Sequence, residues 1–114
     1  MFRPLLAAVL LVAPAVAFAH HGWSSYDEAK PVTASGPLTD VTWGNPHGTA
    51  KMTVKGKTWD LVLAPTSRME ARGLKRAAID KGQTVTVTGY PRRDGTDEMR
   101  IERVSVGKTV VELR

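Results

Sequence analysis

From Val32 to Leu113 the chain is a succession of short stretches in which apolar and polar residues alternate, separated by turns rich in glycine, proline and charge. A period of two places every second side chain on one face of a strand, so such a chain buries apolar surface only by pairing its strands into a sheet. The clearest stretch is QTVTVTGY (83–90), where Val85 and Val87 alternate with Thr84, Thr86 and Thr88. TAKMTV (49–54) sets Ala50, Met52 and Val54 against polar neighbours. After the tight turn KGK (55–57), TWDLVLA (58–64) returns with Trp59, Leu61 and Leu63 on one face. MRIERVSV (99–106) and TVVEL (109–113) read as two more strands joined at Gly107-Lys108. PVTASGPLTDVTW (31–43) reads as one long strand whose apolar phase slips between Leu38 and Val41. Such a slip is what a β-bulge produces, with Gly36 a place to bend.

One segment breaks the period. In APTSRMEARGLKRAAIDKGQ (64–83), Met69, Leu74, Ala78 and Ile79 share a stripe at helical spacing that Gly73 interrupts. A short helix, or two turns divided at Gly73, is expected there, with Thr66 or Ser67 as N-cap. The polar segments GNPHG (44–48) and PRRDGTDE (91–98) read as loops. A long bent first strand, with one helix between the third and fourth strands, predicts a small OB-like barrel of five or six strands. Closing the sheet on itself would remove exposed edges. A β-sandwich, or an open meander carrying the helix, is the alternative.

Upstream, Leu5 to Ala19 is apolar throughout, follows an n-region whose one charged side chain is Arg3, and contains Pro14. It is shorter than the roughly 20 residues that span a bilayer. It ends in Ala17-Phe18-Ala19, the small-x-small pattern that signal peptidase accepts. Residues 1–19 therefore read as a signal peptide and 20–114 as one mature domain, periplasmic or secreted, with no membrane anchor left after cleavage. A cut after Ala17 fits the same rule. The absence of cysteine excludes disulfides, thiol catalysis and thiolate metal sites. The net charge of +5 comes from basic residues spread among acidic ones. That pattern is a solvated surface rather than a nucleic-acid footprint.

The combination of HHGWSSYD (20–27), VTWGNPH (41–47), GQTVTVTGYP (82–91) and EMRIERV (98–104) resembles a family of small exported bacterial proteins. Its members share an Ala-His-His-Gly-Trp mature start and a Trp-x-Asn-Pro-His segment, and no activity is established for it. The resemblance implies secretion and a small β-barrel.

Chemistry concentrates at the three histidines. A cut after Ala19 gives His20 a free α-amine beside its imidazole, a chelating pair to which His21 adds a second imidazole. His47, in NPHG, is the third histidine. An all-nitrogen set of this kind suits Cu(II), with Zn(II) or Ni(II) as weaker fits. Asp27 is placed to serve as an oxygen ligand or as acceptor for an imidazole N–H. A cut after Ala17 would instead put His20 third from the N-terminus, also a Cu(II) and Ni(II) arrangement. Copper held by His20, His21 and His47 is thus the expectation, in a monomer or weak oligomer. The competing one is a non-catalytic interaction module for a polypeptide, glycan or envelope partner, with the histidines incidental. His47 also reads as an ordinary loop residue, since Asn-Pro is a turn former.

Trp23, Trp43, Trp59, Tyr26 and Tyr90 read as core or rim packing. Arg100 and Arg103, within a strand beside Glu98 and Glu102, read as cross-strand charge partners. No nucleophile elbow or phosphate loop occurs, and Asp60, Asp80, Glu102 and Glu112 read as surface positions with nothing pairing them for acid–base work. No enzyme is expected.

Overall fold

A computed structural model describes residues 22–114. It is mainly β, with seven strands in one sheet and one short α-helix. The strands are β1 (Val32–Pro37), β2 (Thr39–Thr42), β3 (Thr49–Val54), β4 (Lys57–Val62), β5 (Thr84–Pro91), β6 (Glu98–Val106) and β7 (Thr109–Glu112); α1 (Thr66–Ala71) lies between β4 and β5. The strand order is β1-β5-β6-β4-β3-β2, with β7 paired to β6 off this path. All pairings are antiparallel except β4 with β6, where Asp60, Leu61 and Val62 run alongside Glu98, Met99 and Arg100.

The expected long first strand is divided. It leaves the β1 ladder at Leu38 and resumes as β2, which pairs with β3. Four residues from Thr39 to Thr42 oppose three from Lys51 to Thr49, and Asp40 takes a φ of 47°. This is a bulge, and a short polar side chain tolerates its left-handed backbone better than most. The consequence is topological. One run of chain pairs with β5 through its first half and with β3 through its second, so its halves take opposite ends of the strand order.

Local chemistry accounts for the remaining joints. Lys55 (φ 52°) and Gly56 (φ 79°) form a two-residue turn with both central residues left-handed, the geometry whose twist matches its flanking strands. The helix begins at Pro65 rather than at a Thr66 or Ser67 cap: Pro65 has no N–H to leave unsatisfied, and its carbonyl accepts from Arg68 and Met69. It ends in a Schellman motif. Gly73 (φ 93°) donates to Glu70 O, Leu74 donates to Met69 O, and Leu74 and Met69 are both fully buried. The alternation then delivers the core: Ala34, Ala50, Met52, Leu61, Val85, Val87, Met99, Ile101 and Val104 point inward, and Met69, Leu74 and Ile79 of the helical segment pack with them.

Candidate functional site

Because these residues point inward, their neighbours form an outer face whose rows can be read from the register. Thr42, Thr49, Val62, Arg100 and Tyr90 make one row across β2, β3, β4, β6 and β5. Lys51, Asp60 and Glu98 make the next. Between them lies an open groove of about 330 Å³ lined by Asp40, Thr42, Thr49, Lys51, Asp60 and Glu98, among others.

The segment just upstream of β1 is fastened beside this groove. Asp27 N donates to Pro91 O (2.8 Å), Arg93 N to Ser25 O (3.0 Å), and Arg93 Nε to Ser24 O (3.1 Å). The Tyr26 ring is buried, and its hydroxyl donates to Glu98 Oε2 at 2.7 Å, which also accepts from Arg92 Nη1 at 3.2 Å. Burial first, and then the hydrogen bond to Glu98, push the Tyr26 hydroxyl up from its ordinary 10.0 to about 12. The Trp23 ring has the Arg100 guanidinium 4.7 Å and the Arg114 guanidinium 4.4 Å from its centroid, and meets Tyr90 edge-on at 6.1 Å. Arg114 in turn pairs with Glu28 and Glu102, and the Tyr90 hydroxyl donates to Glu102 at 2.7 Å. That bond to Glu102 raises the Tyr90 hydroxyl too, while burial lowers the Arg100 guanidinium.

The expected cross-strand charge pairing holds for Arg103, which pairs with Glu112 directly opposite on β7. Arg100 lies over Trp23, and Glu98 and Glu102 are held by Tyr26 with Arg92 and by Tyr90 with Arg114. Nothing local in the sequence couples residue 23 to residues 100 and 114.

His47 sits at the end of the loop between β2 and β3, after the cis Asn45–Pro46 peptide. Its neighbour Gly48 extends the β3–β4 ladder, donating to Ala64 O (3.0 Å) and accepting from Leu63 N (2.9 Å). A Cβ at Gly48 would point at Met69 Cε (3.0 Å) and Leu63 Cδ1 (3.5 Å). Position 48 therefore faces the core. The His47 imidazole is half-buried; its Nδ1 is shielded from solvent and has no hydrogen-bond partner among the described residues. Trp43 ties the same loop to the helix, donating from Nε1 to Glu70 Oε1 at 3.0 Å.

Of the other expected ligands, Asp27 serves its own turn: Oδ1 accepts from Ala29 N (3.1 Å), and Lys30 and Arg93 approach the carboxylate at 4.0 Å. His20 and His21, with the 1–19 leader, lie outside the described residues. Among the described residues no three His, Asp or Glu side chains gather closely enough to hold a metal ion, and no helix is long and apolar enough to cross a membrane.

No curated protein matches the chain. A family model does, over residues 8–100, taking in most of the sheet and the segment carrying all three histidines. The chain belongs to that family, described as a family of unknown function (DUF6152).

Proposed function

We propose that this is a small exported binding protein with an OB-like barrel, which holds Cu(II) or a similar transition ion through His20, His21 and His47. The barrel reading rests on the strand order, in which the two ends are consecutive halves of one run of chain, and on the parallel β4–β6 pair. Export to the periplasm rests on the apolar leader and its Ala17-Phe18-Ala19 ending.

The observation that carries the metal reading is the Nδ1 of His47, shielded from solvent and without a hydrogen-bond partner among the described residues. A buried polar atom normally has a partner, and an imidazole nitrogen lacking one among the described residues is available to a ligand bond.

The test is a Cu(II) titration of the exported protein against a competing chelator, after mass spectrometry has fixed its N-terminus. His20→Ala and His47→Ala should each weaken binding by about tenfold or more. Zn(II) and Ni(II) should bind more weakly than Cu(II). Variants that bind as the parent does, or a parent no better than a free His-His peptide, would refute the reading. The second reading is a non-catalytic interaction module for a polypeptide, glycan or envelope partner. The open groove across β2, β3 and β4 favours it, and it becomes the better one if the titration fails.

A further inference from the structure

Along the sequence the basic residues are spread among acidic ones, but the fold pairs them unevenly. Arg103 is met by Glu112, Arg76 by Asp80, and Arg92 by Asp94 and Glu98. Along the edge formed by α1 and β7 this pairing stops. Arg68 and Arg72 donate to the backbone oxygens of Leu113, Glu112 and Arg114, and no side-chain carboxylate meets either among the described residues. The one acid of α1, Glu70, is turned to Trp43 Nε1. Lys75, just past the helix, and Lys108, in the turn before β7, are exposed and form no ion pair among the described residues. Val110 of β7 stands with them, a large apolar side chain 60% exposed.

These five residues share one edge of the molecule. Arg72 reaches the oxygen of Glu112 at 2.8 Å. Val110 is about 7 Å back along the strand from Glu112, and Lys108 about 13 Å. Lys75 is at most about 11 Å of chain beyond Arg72.

We propose that the α1–β7 edge is a docking surface for an anionic lipid bilayer, with the four cations facing acidic headgroups and Val110 entering the layer beneath them. Charge complementarity selects an anionic partner. The cations project from the helix, from just beyond it and from a turn, instead of converging on one point as the ligands of a compact anion do. A flat, laterally mobile array of headgroups meets such a spread without specific geometry. An exposed valine among them gains from the apolar layer of a bilayer and nothing from a soluble polyanion. The surface holds none of the histidines, so it stands or falls apart from the metal reading.

The test is co-sedimentation of the exported protein, its N-terminus fixed by mass spectrometry, with vesicles of phosphatidylcholine and phosphatidylglycerol. Lys75→Ala and Lys108→Ala should each weaken binding about fivefold, and the pair about 25-fold. Neither side chain has an ion pair to lose, so the melting temperature should hold. Val110→Thr should weaken binding about threefold with the charge unchanged. Phosphatidylcholine vesicles alone should not bind, and added salt should release the protein. Lys55→Ala, which removes the same charge from the β3–β4 turn, should bind as the parent does. If Lys55→Ala weakens binding as much as Lys75→Ala, net charge acts rather than this edge, and the proposal fails. Equal binding to phosphatidylcholine alone also overturns it. A parent that binds poly-glutamate but not the anionic vesicles has an acidic polypeptide as its partner, and the bilayer is the wrong occupant.

Discussion

The Tyr26 hydroxyl is buried and donates to a carboxylate, so its phenolate would form against a low-dielectric surround and beside the negative charge of Glu98. Those two effects raise its pKa from 10.0 to about 12, against the opposing pull of Arg92 and Arg100. Below pH 10 the phenol is neutral in both folded and unfolded chains, and its contribution to stability is complete. Between pH 10 and 12 the unfolded chain gives up the proton while the folded one keeps it, so stability falls as pH rises through that window. Urea midpoints measured from pH 8 to 12 should therefore drop more steeply for the parent than for Tyr26→Phe, with Tyr90 supplying a residual slope in both. At neutral pH the variant should be less stable by about 1 kcal/mol for the lost hydrogen bond. Equal slopes would mean that the Tyr26–Glu98 contact does not hold the proton.

Elements depend on more than residue type, and Gly89 illustrates this. In the sequence it merely precedes Tyr90 at the end of an alternating strand. In the fold it faces β6 at the register shift between Thr88 and Gly89, where a Cβ would lie 2.4 Å from Arg100 O and 2.8 Å from Ile101 Cδ1. Backbone cannot yield as a flexible side chain can, so Gly89→Ala should destabilise by ~3 kcal/mol. Gly36→Ala, with nothing within 4 Å of the new methyl group, should be close to neutral. Denaturant titration of both variants separates a packing requirement from a general demand for glycine. The same contrast explains what was legible. Alternation marked β3 to β7, and the Lys55-Gly56 and Gly107-Lys108 turns lay where glycine invited them. The phase slip in 31–43 was visible, but not that the chain changes partner strand there. That depends on β5, more than 40 residues downstream. The placing of Arg100 over Trp23 likewise follows from tertiary contacts absent from any local window.

Across the whole molecule, the histidines could be named from the sequence, while the order of the strands came from pairings between residues far apart in the chain. That same order exposes a weak point. β1 and β2, at the ends of the strand order, are consecutive in the chain, whereas β7 pairs only with β6 among the described strands. An unpaired strand edge is a template for other chains. Val110 on β7 is 60% exposed, a large apolar side chain on that strand. Two helix arginines cover the end of the edge: Arg68 Nη1 donates to Leu113 O (3.0 Å), and Arg72 Nη1 donates to the backbone oxygens of Glu112 (2.8 Å) and Arg114 (3.1 Å). These bonds anchor α1 to β7 and occupy acceptors that another strand would use. Replacing both residues by alanine should lower stability by about 1–3 kcal/mol, the range for hydrogen bonds from charged donors at partly exposed sites. It should also let the edge self-associate, so that light-scattering mass rises with concentration more steeply than for the parent. Adding Val110→Lys to the double variant should suppress the association without restoring the stability, because a charged edge repels a second strand but cannot replace the lost anchors. An unchanged concentration dependence in the double variant would show that the arginines anchor the helix without guarding the edge.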